Sequence, residues 1–124
     1  MSGKILVIED NDRNRKLVKI LLEAKNYEVI EAKTGEEALA YLHDDKPDLI
    51  LLDIQLPNMD GLTLARMLRS NQETKDIPIV AVTAYAMKGD KERVLEAGCD
   101  AYVSKPIDTR ELPVIVANFI AKGR

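Results

Sequence analysis

Four short apolar runs in this 124-residue chain each end on residues able to do chemistry. Ile5-Leu6-Val7-Ile8 runs into Glu9-Asp10, and Leu49-Ile50-Leu51-Leu52 runs into Asp53. Ile79-Val80-Ala81-Val82 runs into Thr83-Ala84, and Ala101-Tyr102-Val103 into Ser104-Lys105-Pro106. Brought together, these ends would gather three carboxylates, a hydroxyl and an ammonium. Two unit charges about 4 Å apart repel by about 4 kcal/mol at an effective dielectric of about 20, so such carboxylates demand a cation. Oxygen donors without His or Cys favour Mg²⁺, which keeps several waters and takes one or two carboxylates plus a phosphate. Mn²⁺ is the expected substitute. The backbone carbonyl of Gln55, just past Asp53, could complete the coordination. A metal beside a carboxylate, a lysine and a hydroxyl is equipment for phosphoryl transfer. The cation and Lys105 would neutralise charge on the transferring oxygens. One carboxylate would act as nucleophile and become an acyl phosphate. Asp53 is the candidate, because it lies centrally between Glu9-Asp10 and the Thr83 and Lys105 ends.

Each end also has a plainer reading taken singly. Glu9-Asp10-Asn11 could be a polar loop feeding a helix cap. Asp53 could be a turn residue, although the stronger turn signal comes later, at Pro57-Asn58-Met59-Asp60-Gly61. Thr83 could be an ordinary strand-end hydroxyl, and Lys105 a solvated one among 18 basic residues. The elements that must position these residues weigh against all four plain readings holding at once.

The apolar runs are short and continuous, which suits strands buried on both faces of a parallel sheet. Glu28-Val29-Ile30-Glu31-Ala32 is also strand-like, but its two charges suit an edge. Helical patterns separate the strands. Leu17, Ile20, Leu21 and Ala24 share one face. Thr34-Gly35-Glu36-Glu37 resembles a capping box before Ala38, Leu39 and Leu42. Leu62, Ala65 and Leu68 follow Asp60-Gly61 at helical spacing. Val94, Leu95 and Ala97 precede Gly98, a helix stop. Leu112, Ile115, Val116, Phe119 and Ile120 follow the start signal Asp108-x-x-Glu111. Pro113 falls near that start, where it can distort the first turn. Five strands alternating with five helices predict a doubly wound α/β domain, with the flavodoxin-like order 2-1-3-4-5 as the simplest fit. In that order ligands bind at the carboxyl ends of strands 1 and 3, on the rim that would carry the polar residues.

The length fits a single domain over 1–124, with no room for an output domain. Eighteen basic against 21 acidic residues give a net charge of −3, and aromatics are four Tyr and one Phe. Neither the basic face nor the stacking surface of a nucleic-acid binder is indicated. No run reaches the roughly 18 apolar residues of a membrane span, and no secretory cleavage pattern follows the N-terminus. One cysteine, Cys99, cannot make an internal disulfide, which fits a cytoplasmic location.

In combination the motifs resemble the receiver domain of bacterial two-component response regulators. They are Val7-Ile8-Glu9-Asp10-Asn11, the stretch from Leu52-Asp53 to Asp60-Gly61 with Pro57 and Met59, Val82-Thr83-Ala84, and Lys105-Pro106. The resemblance covers essentially the whole chain. The segment from Ala84-Tyr85-Ala86-Met87 to Lys105-Pro106 is most similar to single-domain regulators and hybrid-kinase receivers. The resemblance implies roles by position. Asp53 would be the phosphoacceptor, and Glu9, Asp10, Asp53 and the Gln55 carbonyl would bind Mg²⁺. Thr83 would hydrogen-bond the phosphoryl group and Lys105 would pair with it. Thr83 and Tyr102 would form the switch, and Lys105-Pro106 would be a cis peptide. Gln55 and Tyr85 would modulate phosphoryl lifetime. The implied function is a phosphorelay switch rather than a classical enzyme, with weak self-catalysed phosphorylation and dephosphorylation. Its implied partners are a sensor histidine kinase or histidine phosphotransferase, and a downstream protein held by the fourth helix, fifth strand and fifth helix. The chain would act as a monomer or a phosphorylation-dependent dimer, without nucleic acid or membrane insertion. A stand-alone regulator is the expectation, with a receiver excised from a hybrid kinase as the alternative.

Rival readings each miss a residue. Phosphatases of the haloacid dehalogenase type need a second Asp two positions past the nucleophile as general acid. Here that position is Gln55. A flavin or nucleotide module would show a Gly-rich loop after the first strand, where Glu9-Asp10-Asn11-Asp12 stands instead. An interaction domain without phosphorylation would lack part of the rim set, which is whole here. His43, the one histidine, reads as solvated and Cys99 as a small core residue. Arg13, Arg15, Lys16 and Lys19 read as a solvated basic start to the first helix, with docking of an acidic partner as a second reading.

Overall fold

The computed structural model describes residues 3–56, 60–84 and 90–122. Five strands alternate with five helices: β1 (Lys4–Ile8), α1 (Asp12–Glu23), β2 (Glu28–Ala32), α2 (Gly35–Asp44), β3 (Leu49–Asp53), α3 (Gly61–Ser70), β4 (Ile79–Thr83), α4 (Asp90–Glu96), β5 (Ala101–Ser104) and α5 (Glu111–Lys122). All strand pairs are parallel, in the order β2-β1-β3-β4-β5. This is the flavodoxin-like arrangement predicted from the sequence, with the charged β2 at an edge. The register sets Ile8 beside Leu52, Asp53 beside Val82 and Thr83 beside Ser104, so the polar strand ends share one rim.

Alternate residues of each strand feed two cores. Ile5, Val7, Leu49, Leu51, Val80 and Val103 pack with Val18, Leu22, Leu112 and Val116 of α1 and α5. Leu6, Ile8, Ile50, Leu52, Ile79 and Ala81 pack with α2, α3 and Val94 of α4 on the other face. Burial on both faces explains why these strands read as unbroken apolar runs.

Helix starts are capped by side chains. Asn11 accepts from the Asn14 amide at 2.9 Å, and Thr34 Oγ1 accepts from the Glu37 amide at 3.1 Å. Glu37 reciprocates by accepting from the Lys33 amide at 2.9 Å. Asp108 Oδ1 accepts from the amides of Arg110 and Glu111 at 2.8 and 3.1 Å, which fixes the start of α5 two residues before Pro113. Each such cap contributes about 1 kcal/mol.

Two expectations need correction. The inward face of α1 is Arg15, Val18 and Leu22; of the expected face Leu21 packs partly buried against the core, while Ile20 is 56% exposed and Ala24 faces solvent. Leu17-Val18 and Ile20-Leu21-Leu22 place apolar residues on two adjacent diagonals, and tertiary contacts select the one that includes Arg15. Arg15 is therefore buried, not solvated, although Arg13 and Lys16 are exposed. Elsewhere Cys99 is buried and His43 exposed, as expected.

The rim opposite the polar one is braced. Arg69 Nε donates to the Gly98 carbonyl at 2.7 Å, and Nη1 to the carbonyls of Lys75 and Ile77 at 2.8 and 2.7 Å. Its Nη2 meets Asp100 Oδ2 at 2.6 Å, and the same oxygen accepts from the Ile79 amide at 2.8 Å. Gly98 has φ +108°, and a Cβ there would lie 2.4 Å from Arg69 Cγ, so glycine is needed on both counts. Lys4 is held at the same rim by Asp45, Nζ to Oδ2 2.6 Å, and donates its amide to Asp48 at 2.8 Å.

Candidate functional site

The carboxyl ends of β1 and β3 bring the three acids together. Carboxylate oxygens of Glu9, Asp10 and Asp53 all lie within 4.8 Å of one another. Glu9 and Asp53 are 3% and 1% exposed, whereas Asp10 opens to solvent. Lys105 enters from the end of β5, with Nζ 3.2 Å from both Glu9 Oε1 and Asp53 Oδ2. The Lys105–Pro106 peptide is cis, and the Lys105 amide donates to the Thr83 carbonyl at 2.7 Å. Thr83 is buried at the end of β4, and Tyr102 is half-buried on β5 against the core. The Gln55 amide donates to Asp53 Oδ1 at 3.0 Å, and its side-chain oxygen accepts from the Ala84 amide at 3.4 Å. Glu9, Asp10, Asp53, Gln55, Thr83 and Lys105 therefore lie along one rim. Pro57, Met59 and Tyr85 lie outside the described residues.

The electrostatics follow from crowding. Burial and the Asp53 carboxylate beside it push Glu9 up to about 7. Burial opposes the charged form of Lys105, but Asp53 and Glu9 outweigh it and hold the ammonium above its ordinary value. Three carboxylates against one ammonium leave an excess of two negative charges when all are ionised. That excess, made of hard oxygen donors without His or Cys, fits a divalent cation such as Mg²⁺. Glu9, Asp10 and Asp53 are the side chains that could hold it.

Sequence reasoning missed three contributors. Arg15 reaches the Glu9 carbonyl, Asn11 donates its amide to Glu9 Oε2 at 3.1 Å, and Gly61 packs against the main chain of Asp53 and Ile54. Asp60-Gly61 gave a turn signal, but not this close approach. Nothing in the spacing signalled the burial of Arg15.

A doubly wound sheet with a buried aspartate, an acid pair and a lysine on its carboxyl rim defines a class: flavodoxin-like domains equipped for a divalent cation and a phosphoryl group. The family model of the response regulator receiver domain matches residues 5–117, and the chain belongs to that family. It is 49% identical to the polar-differentiation response regulator DivK of Brucella ovis, over 86% of this chain and 87% of that protein. Its fold matches a putative response regulator from Chloroflexus aurantiacus with TM-score 0.93 and 34% identity, covering 98% and 99% of the two chains. It also matches the receiver domain of the sensor histidine kinase PA1611 from Pseudomonas aeruginosa, whose active-site cleft coordinates a magnesium ion. There the TM-score is 0.89 and the identity 33%, over 98% and 99% of the chains. The chain is thus a receiver domain of two-component signalling, a phosphoacceptor switch that works with histidine kinases and downstream targets. Among the described residues no helix is long and apolar enough to cross a membrane.

Proposed function

We propose that Asp53 accepts a phosphoryl group from a phosphohistidine of a sensor kinase or histidine phosphotransferase. The observation that carries this reading is the buried Asp53 carboxylate, 3.2 Å from Lys105 Nζ and clustered with Glu9 and Asp10. Glu9, Asp10, Asp53 and the Gln55 carbonyl would hold Mg²⁺, with Mn²⁺ as a substitute. The bound cation supplies charge neutralisation to the phosphoryl oxygens. An Asp53 oxygen attacks phosphorus; its new P–O bond forms as the P–N bond breaks, and the imidazole nitrogen leaves with the electron pair. Lys105 shifts from the two carboxylates to a phosphoryl oxygen, and the Thr83 hydroxyl donates to another. The readiness of phosphoimidazole to leave fits the lack of an acid at Gln55, and self-catalysed phosphorylation and dephosphorylation are weak.

The phosphoryl group adds about −1.5 to −2 charge and three acceptor oxygens. Thr83 moves toward it and vacates space into which Tyr102 turns. The surface of α4, β5 and α5 then repacks, and a downstream protein reads the change. Moving such a switch from about 1:99 to 99:1 takes about 5.5 kcal/mol of differential stabilisation. Gln55 and Tyr85 set phosphoryl lifetime. The match to DivK over 87% of that regulator supports a stand-alone role for a single receiver domain, and a cytoplasmic location fits that role. The domain would act as a monomer or a phosphorylation-dependent dimer.

Intact mass after incubation with acetyl phosphate and Mg²⁺ tests the acceptor. The expected result is one phosphate adduct on the unaltered chain and none on Asp53→Asn. An undiminished adduct on that variant refutes the assignment. Thr83→Ala should still be phosphorylated but should lose most of its phosphorylation-dependent partner binding.

A further inference from the structure

We propose that Arg15 is a positioning residue for the acid pair: its buried guanidinium ties down the main chain at Glu9 and so presets the Glu9-Asp10 corner for a divalent cation. The inference rests on the reading of that corner as the cation site. Arg15 lies one turn into α1 and is only 8% exposed. Its Nη1 donates to the Glu9 carbonyl at 3.0 Å, its Nη2 to Asp12 Oδ1 at 2.5 Å and its Nε to Glu31 Oε1 at 3.2 Å. One planar fork thus joins the chain just past β1, the first turn of α1 and the edge strand β2. Burying a guanidinium is costly unless its donors are matched, and here the acceptors converge from three segments. A lysine, with a compact single charge, could not span them.

The geometry at Glu9 shows what the fork adds. The Glu9 amide already donates to the Ala32 carbonyl at 3.0 Å. Its carboxylate is engaged by Lys105 at 3.2 Å and by the Asn11 amide at 3.1 Å. The carbonyl is the remaining handle, and Arg15 takes it. The loop then closes on itself, because the Arg15 amide donates to the Asn11 carbonyl at 2.9 Å and Asn11 caps Asn14. Mutual repulsion of the carboxylates would otherwise splay this corner toward solvent. Asp12 and Glu31 neutralise the guanidinium, so the tie is made without cancelling the negative charge that attracts a cation.

The test is calorimetric titration of Mg²⁺ into the full chain and into Arg15→Met. Removing an outer support of metal ligands typically weakens affinity by about 10–100-fold, so Arg15→Met should bind Mg²⁺ at least about tenfold more weakly. Its phosphorylation by acetyl phosphate should fall most at limiting Mg²⁺ and recover as Mg²⁺ is raised, which marks weakened binding of the cation. In metal-free protein the amides of Glu9 and Asn11 should exchange hydrogen faster. Arg15→Lys, which keeps a charge and a single donor group, should be intermediate and serves if Arg15→Met fails to fold. Glu31→Gln keeps an acceptor for the fork and should retain Mg²⁺ affinity. Unchanged affinity in a folded Arg15 variant overturns the proposal, as does a Glu31→Gln loss equal to that of Arg15→Met. Failure of the unaltered chain to bind Mg²⁺ overturns the cation-site reading instead, and amide exchange still reports the tie.

Discussion

Replacing Gly61 by alanine sets two effects of opposite sign against each other. At a position that accepts a side chain, Gly→Ala stabilises by about 0.4–1 kcal/mol by restricting the unfolded chain. Gly61 is not such a position. A Cβ built there would lie 2.5 Å from Ile54 Cα and 2.8 Å from the carbonyl oxygens of both Asp53 and Ile54. All three are main-chain atoms, so no side-chain rotation relieves the overlap. The Gly61 amide also donates to the Ile54 carbonyl at 3.0 Å, which holds the two segments together. Overpacking of this kind costs about 1–3 kcal/mol and outweighs the entropic gain. At about 2.1 cal/mol/K per residue, the unfolding entropy of 124 residues is about 260 cal/mol/K, so each kcal/mol lowers Tm by about 4 °C. With a gain of about 0.7 kcal/mol subtracted, about 0.3–2.3 kcal/mol of net cost remains, so Gly61→Ala should melt about 1–9 °C below the unaltered protein by scanning calorimetry in EDTA. If the proposed cation site holds, its Mg²⁺ affinity should fall as well, because the displaced segment carries Asp53 and the Gln55 carbonyl. Gly3→Ala is the control: the added methyl would meet only side-chain atoms, Ile120 Cδ1 at 3.3 Å and Asp48 Oδ2 at 3.4 Å, and Tm should move much less. A Gly61→Ala protein that melts at or above the original temperature refutes the steric reasoning.

Three further outcomes follow from the titrating groups. Because Glu9 is pushed up to about 7, its folded form binds a proton more tightly than its unfolded form. The metal-free protein should lose that contribution as pH rises from about 4.5 through 7, and Mg²⁺ affinity, measured by calorimetry, should climb over the same range. Asp45 behaves in the opposite sense: hydrogen bonds from Lys4, Tyr41 and the Lys46 amide hold it down to about 2. Its contribution is present above about pH 4 and lost as pH falls to 2, so Asp45→Asn should flatten the acid limb of a Tm–pH curve. Burial pushes the Cys99 thiol up to about 11, so a thiol reagent at pH 8 should label the native protein no faster than it opens, while urea exposes the thiol. Rapid labelling of the folded chain would contradict the burial.

The strands and the rim were legible because their causes are local. Leu49 to Leu52 is apolar on both faces since helices cover both faces, and a doubly wound sheet sends whatever follows each strand to one edge. That logic reached Asp53, Thr83 and Lys105 from their neighbours alone. The phase of α1 was not legible, because Leu17, Val18, Ile20, Leu21 and Leu22 supply two apolar diagonals and only tertiary contact chooses between them. The burial of Arg15 was hidden for a related reason: its three acceptors come from three segments. Gly61 announced a turn, while the reason it must be glycine lies in how closely α3 approaches the main chain after β3.

The brace made by Arg69 divides the molecule into a chassis and an exchangeable head. It secures the roots of β4 and β5 through carbonyls of Lys75, Ile77 and Gly98, acceptors that any sequence would present, and one carboxylate, Asp100. Among the described residues, Asp53, Thr83 and Lys105 at the far ends of the strands take no part in those bonds. For an engineer, changes made at the carboxyl rim therefore leave that brace untouched. Arg69, Gly98 and Asp100 should be carried unchanged from one redesign to the next.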